Sequence, residues 1–300
     1  ETLRSSLQQE APPDEVIVID DGSREDPRPV LAESGARIRL RRQANAGAAA
    51  ARNTGAELAR GTWLAFLDSD DIWRPGRMQT LRRDLAQCGD RIVAHIGDVC
   101  YVGPSYAQTL FALKGRSFSA EHAEVLERPL EMVISGMTLQ GACVRREAWM
   151  RLGGLDASMP MYEDTDFFVR LCLTGAFAFS GQVMADIRRL ENDTEALTAI
   201  EAKDPVRAQE LRIGYLTRLT QEPLSKAEQR LANARLSGAE YLLARTLLSQ
   251  DPGRARRLLI ASARRHPAPL RGWIKALAAL AIGQRDTGLL PGSRKSLDRS

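Results

Sequence analysis

Thr62-Trp63-Leu64-Ala65-Phe66-Leu67-Asp68-Ser69-Asp70-Asp71-Ile72-Trp73 is the stretch whose reading decides the architecture. Its first half is a short apolar run of the kind that forms a buried strand, and its second half sets three carboxylates within four residues at the strand's carboxyl end. That much negative charge beside a core is costly unless a cation or a positively charged ligand offsets the repulsion. Hard divalent ions take oxygen ligands and are held by one or two carboxylates together with substrate phosphates, so Mg2+ or Mn2+ is the natural partner. Residues at i and i+2 of an extended segment point to the same side, which lets Asp68 and Asp70 face one ligand together. A bare Asp-x-Asp is also an ordinary solvated turn, so the rest of the chain has to decide. A calcium loop starting at Asp68 is excluded: Ile72 stands where an oxygen ligand is needed, and the central Gly and closing Glu are missing.

Working outward, residues 2–9 have helical character and are broken by Ala11-Pro12-Pro13-Asp14. A β-branched run, Glu15-Val16-Ile17-Val18-Ile19, follows and stops at Asp20-Asp21-Gly22-Ser23. The pattern then predicts a helix near 27–34, a strand near 36–40 and an Ala-rich helix through Leu58, with Asn45-Ala46-Gly47 opening it and Asn45 in a favoured capping position. After Gly61 come the strand 62–67, a helix over 75–87 and a strand over 91–102. Short apolar strands alternating with helices indicate an α/β domain, a mostly parallel sheet with helices on both faces. Ligands of such sheets bind beyond the carboxyl ends of the strands, where both acidic clusters, 20–21 and 68–71, are expected.

Beyond Asp204 the strands give way to helical patterns at 205–219, 225–249, 253–265 and 268–282, with Ser225 and Glu228 spaced as a capping box. These helix pairs resemble tetratricopeptide-type units but are too few for a solenoid, so a packed helical appendage is expected. The reading divides the chain into an α/β domain at 1–200, a helical C-terminal region at 201–288 and a flexible polar tail at 289–300. Of the net charge of +4, residues 201–300 carry +10, from 19 Lys and Arg against 9 Asp and Glu, which leaves −6 on residues 1–200. The basic helices suit solubility or peripheral contact with an anionic membrane surface. Cys88, Cys100, Cys143 and Cys172 lie far apart with no C-x-x-C pair, which argues against a zinc site or disulfide framework and for a reducing cytoplasm. No leader pattern is present, and the longest apolar tract, around 273–282, is too short to span a bilayer.

Four motifs in order, Val16-Ile-Val-Ile-Asp-Asp-Gly-Ser23, Asn45-x-Gly47-x-x-x-Ala51-Arg52-Asn53-x-Gly55, Phe66-Leu-Asp68-x-Asp70-Asp71-x-Trp73 and Tyr162-Glu163-Asp164-x-Asp166-Phe167, resemble those of the family 2 glycosyltransferases over about residues 1–190. The resemblance implies a GT-A, Rossmann-like fold and a metal-dependent inverting transfer of one sugar from a nucleotide sugar, a UDP-sugar first among them. The acceptor would be a hydroxyl of a saccharide or lipid-linked molecule, in cell-envelope polysaccharide biosynthesis, with no nucleic acid partner. It assigns Asp21 to the imide of the base with Asp20 in support, and Arg52 to the nucleotide site with Asn45 near it. Asp70 becomes the metal ligand, and Asp68 faces the ribose or the metal shell. Asp164, beside Glu163, becomes the base that takes the acceptor's proton.

Three departures stand out. The family's first strand, with its Pro-x-Tyr-Asn ending, has no counterpart because the chain opens on the helix that follows it, so a truncated form with open ladder positions on both neighbours is expected. Leu190 in Ile187-Arg188-Arg189-Leu190 stands where many members carry a His ligand, leaving Arg188 or Arg189 to meet the diphosphate. A Gln-x-x-Arg-Trp motif is missing, which argues against processive synthesis. The competing readings are a sugar nucleotidyltransferase on the same fold and an inactive member serving as a helical binding module. Residues 103–140 are expected to form much of the acceptor side.

Overall fold

The computed structural model describes residues 1–32, 38–189 and 203–266. It divides into two compact units, Glu1–Ala196 and Leu197–Ser300.

In the first unit, helix α1 (Thr2–Leu7) precedes strand β1 (Val16–Asp20), short helix α2 (Arg28–Ala32), strand β2 (Ile38–Arg42) and the Ala-rich helix α3 (Ala48–Leu58). Strands β3 (Trp63–Ala65) and β4 (Ile72–Trp73) flank the acidic turn, and helix α4 (Arg77–Cys88) leads into the long strand β5 (Ile92–Val102). Then come β6 (Ala107–Thr109), α5 (Leu110–Leu113), β7 (Glu124–Leu126), α6 (Leu130–Val133), β8 (Ala142–Arg145), α7 (Arg146–Arg151), α8 (Glu163–Leu171) and β9 (Ala176–Arg188). Strand β1 pairs in parallel with β2 as a separate two-stranded sheet. The larger sheet has seven strands in the order β3-β8-β5-β9-β4, with β6 on β5 and β7 on β9.

The α/β layering expected from the sequence is there, but the large sheet is mixed. Within it only β5 and β9 run parallel, and the other pairings are antiparallel. Residues 103–145 supply the reversal: β8 inserts between β3 and β5, and β6 and β7 are three-residue strands too short to carry a period. Strand direction leaves no trace in an apolar run once both faces are covered, as they are at β5, where Ile92, Ala94, Ile96 and Val99 are fully buried. A second correction concerns Asn45. Helix α3 starts at Ala48 with Gly47 in the capping position at φ 88°, and no side chain caps it.

An aromatic stack ties the acidic turn to α8. Phe66, two residues before Asp68, stacks on Trp149 of α7 at 4.7 Å between ring centroids, and Trp149 lies 4.3 Å from Phe167 of α8. Each such pair adds about 0.5–1.5 kcal/mol beyond its area burial.

The second unit, described by itself, contains α9 (Pro205–Leu219), α10 (Lys226–Leu247) and α11 (Pro252–Arg265). The starts are fixed by side chains: Asp204 accepts from the Arg207 amide at 2.9 Å, Asp251 from the Arg254 amide at 2.8 Å, and Ser225 with Glu228 completes the expected capping box. Leu243, Ala244, Leu247, Ala255 and Leu259 form its core. Ser237 and Ser262 exchange hydroxyl-to-carbonyl hydrogen bonds of 2.9 and 2.8 Å, a close approach that small side chains permit. The expected helix at 268–282, the tail at 289–300 and Leu190 lie outside the described residues. No helix among the described residues is long and apolar enough to cross a membrane.

Candidate active site

The turn after β3 is folded by its own backbone and by its neighbours. The Asp71 amide donates to the Asp68 carbonyl at 3.2 Å, and the Thr2 hydroxyl donates to the Ser69 carbonyl at 2.8 Å. The Asp71 side chain turns inward, 2 % exposed, and accepts from the Arg188 amide at the end of β9 at 3.1 Å. Burial, with Asp70 and Asp68 adding to it, pushes Asp71 up to about 7. Asp71 thus pins the turn to the sheet, while Asp70 is exposed.

Asp68 is held by two donors. Arg52, from α3, forks onto both of its oxygens at 2.9 and 2.7 Å, and the Gln140 amide donates to Oδ2 at 2.6 Å. The remaining arm of Arg52 reaches Glu163 at the start of α8 at 3.1 Å. Burial pulls the Arg52 pKa down, but Asp68 and Glu163 outweigh it and leave it raised. One guanidinium therefore bridges the acidic turn and the acidic helix start, which lie 95 residues apart between Asp68 and Glu163.

Two further contacts fix this geometry. Asn53, next to Arg52, donates to the Leu155 carbonyl at 2.8 Å and accepts from the Leu155 amide at 2.9 Å, clamping α3 to the α7–α8 connection. Gly154 allows that clamp: its φ is +69°, and a Cβ there would lie 2.3 Å from the Asn53 Oδ1.

Helix α8 opens on Glu163, Asp164 and Asp166, where the helix dipole favours acids. Glu163 has one oxygen on Arg52, while its Oε2 is buried with no hydrogen-bond partner. Asp164 accepts from the Thr165 amide at 2.6 Å. Burial first, and the Glu163 charge second, push the Asp164 carboxyl well above the usual range. Tyr101 of β5 belongs to the same neighbourhood: burial raises it to about 12, with Asp164, Asp98 and Asp71 adding to the rise. The Arg189 guanidinium lies 5.2 Å from the Tyr101 ring, and among the described residues it forms no ion pair.

The other acidic turn is spoken for by its own chain. Asp20, 4 % exposed, accepts from the Ser23 amide at 2.8 Å and pairs with Arg42 at 3.1 Å. Asp21 accepts from the Gln43 side chain at 2.8 Å and from the amides of Ala46 and Gly47 at 2.9 and 2.8 Å. It thereby holds the corner that opens α3, the duty the sequence suggested for Asn45, which is exposed. Arg188 pairs with Glu1 at 2.7 Å.

Among the described residues no group of three or more His, Cys, Asp or Glu is placed to hold a metal ion by itself. The carboxylates present fit an ion shared with a substrate's phosphates: Asp70 is open to it, Asp68 is adjacent and Asp71 is withdrawn. Sequence reading missed Gln140, Tyr101 and the clamp made by Asn53. Asn53 stands inside a motif, and Tyr101 ends a strand at the carboxyl edge, but a lone Gln in a turn carries no signal.

The model of the glycosyl transferase family 2 matches residues 1–140. Among curated relatives, a glycosyltransferase of Haemophilus influenzae is 28% identical over 178 residues, and the match spans 58% of each chain. The chain thus spans little more than half the length of this relative. Among solved structures, Staphylococcus aureus TarS residues 1–349 align with a TM-score of 0.65 at 14% identity, covering 95% of this chain and 87% of that one. Mannosyltransferase PcManGT of Pyrobaculum calidifontis, solved with GDP-Man and Mn2+, aligns at 0.50 with 18% identity, covering 94% of this chain and 75% of that one. TarS has also been solved with UDP and with UDP-GlcNAc, and those structures align with TM-scores of 0.62 and 0.63 at 13% and 14% identity. These likenesses agree with a GT-A fold, and over residues 1–140 the chain is similar to the family 2 glycosyltransferases.

Proposed function

We propose that this protein is a metal-dependent, inverting glycosyltransferase that moves one sugar from a UDP-sugar to a hydroxyl of a saccharide or lipid-linked acceptor. The observation that carries the reading is the Arg52 bridge, which joins the acidic turn to the start of the helix that carries Glu163 and Asp164. The complexes of TarS with UDP-GlcNAc and of PcManGT with Mn2+ support the donor class and the metal.

In this reading Asp164 takes the proton of the acceptor hydroxyl as its oxygen bonds to the anomeric carbon, while the bond from that carbon to the diphosphate oxygen breaks on the opposite face. A divalent ion bound at Asp70 supplies charge neutralisation to the diphosphate as it leaves. Arg189, free of ion pairs among the described residues, adds positive charge on the same side. Asp21 keeps one of its roughly four lone-pair positions after its three donors are counted, room for the imide N–H of uracil. Asp68 and Arg52 face the ribose and base, with Asn45 beside them. The test is nucleotide release from UDP-, GDP- and dTDP-sugars with and without Mn2+. Metal-dependent release from a UDP-sugar supports the reading; release only from a GDP- or dTDP-sugar, or no release from any of them, defeats it.

Helix α11 supports a further partner. Arg256, Arg257, Ile260 and Arg264 are exposed on it, and the three arginines form no ion pair among the described residues. We place this basic face against an anionic lipid surface at the cytoplasmic side of a membrane, where lipid-linked acceptors reside. Salt-sensitive flotation with phosphatidylglycerol vesicles, lost in the Arg256→Glu, Arg257→Glu double variant, tests it; flotation unchanged by salt and by the variant refutes it.

A further inference from the structure

Arg77, at the start of α4, is a cation set in the core with no acid beside it among the described residues. It is 2 % exposed, and among the described residues it has no ion pair. Its guanidinium donates to the carbonyl oxygens of Gln140 and, at 3.2 Å, Ala142, and lies 4.3 Å from the centre of the Trp73 ring. Its Nε has no partner. Arginine is almost never fully buried unless paired, and burial here pulls it down to about 10. A cost of that kind calls for something gained in return, and the contacts say where: one carbonyl is that of Gln140, and the other is that of Ala142, which opens β8 directly after the Gln140 turn.

That turn has no room to relax. A Cβ on Gly141 would lie 2.6 Å from the Gly97 carbonyl oxygen, so the backbone is pressed against β5 on one side and held by the Arg77 fork on the other. From this fixed base the Gln140 side chain reaches out and donates to Asp68 Oδ2 at 2.6 Å. Asp68 then has Arg52 along both oxygens and Gln140 on one of them, which locks its rotamer and leaves Asp70 as the open carboxylate of the turn.

We propose that Gln140, fixed from beneath by Arg77, is a positioning residue for the nucleotide sugar: it sets Asp68 for the nucleoside and keeps it from competing with Asp70 for the metal-bound diphosphate. The inference rests on the transferase reading above. Its logic is that of preorganised sites, in which a supporting shell fixes the group that meets the ligand.

The experiment is steady-state turnover of the nucleotide sugar in the full chain with Mn2+, together with melting temperatures. Gln140→Ala raises KM about tenfold with kcat and melting temperature unchanged, the loss of one charge-assisted hydrogen bond at a binding carboxylate. Gln140→Glu, which removes the donor and sets a carboxylate against Asp68, raises KM further. Arg77→Met reproduces the KM of Gln140→Ala, and the double variant is no worse than either, since both act through one contact. An unchanged KM in Gln140→Ala, or fully additive losses in the double variant, overturns the inference. Should Arg77→Met fail to fold, the Gln140 pair of variants decides alone: a KM that rises from Ala to Glu supports the inference, and no rise refutes it. A wild-type protein that turns over no nucleotide sugar removes the transferase reading and this inference with it, whereas an active wild type with an indifferent Gln140→Ala removes this inference only.

Discussion

Asp20-Asp21 at the end of β1 and Asp68-Ser69-Asp70-Asp71 after β3 are the same kind of sequence, acids closing a short apolar strand, yet they end in different states. In the first turn Ser23 and Arg42 hold Asp20, and Gln43, Ala46 and Gly47 hold Asp21. In the second, Arg52 and Gln140 hold Asp68, the Arg188 amide holds Asp71, and Asp70 alone stays exposed to solvent. A carboxylate's role is thus read from who already uses its lone pairs. The first turn is chiefly a clamp on the opening of α3, and the second leaves Asp70 open to solvent.

The widest gap between the turns lies in activity. Asp70→Ala is expected to lower sugar transfer by about a thousandfold or more with the melting temperature kept, because the charge on the departing diphosphate loses its anchor. Circular dichroism melting beside the turnover assay separates this from unfolding, and a full-rate Asp70→Ala protein breaks the comparison. Asp164→Asn, across the cleft, lowers kcat by about a hundredfold to ten-thousandfold, the usual range for losing a general base.

Stability is where the first turn dominates. Asp21→Ala leaves three donors without an acceptor and is expected to cost about 2 kcal/mol in urea unfolding, while Asn45→Ala stays within about 0.5 kcal/mol. Equal losses in the two variants would return the capping duty to Asn45.

The pH profile sharpens the account of the second cleft. A base must be deprotonated to act, and the Asp164 carboxyl is raised by burial and by Glu163, so kcat/KM is lost on acidification at a pH above that of an ordinary carboxylate. Glu163→Gln removes one cause of that rise and moves the acidic limb to lower pH. A limb that stays in place in Glu163→Gln removes Glu163 as a cause.

The order of elements around both turns was legible in the sequence. The Ala run marked α3 and Gly61 its end after Leu58, and Ser225 with Glu228 gave α10 its start, because helix propensity, breakers and caps are local. Residues 103–145 were not legible. Strands β6, β7 and β8 have three, three and four residues, and their pairing directions depend on partners far along the chain. The site was legible in its acids and in Arg52, since these lie in spaced motifs, but not in which of the acids the fold would satisfy internally. Gln140 meets Asp68 from 72 residues away and Arg77 meets the Gln140 carbonyl from 63, contacts that no local pattern announces.

Calorimetric titration of UDP into the protein with and without Mn2+, for wild type and Asp70→Ala, decides whether Asp70 holds the metal that binds the diphosphate. Mn2+ is expected to strengthen UDP binding to the wild-type protein, and Asp70→Ala is expected to lose this metal-dependent gain. Metal-dependent UDP binding of equal strength in Asp70→Ala would contradict it.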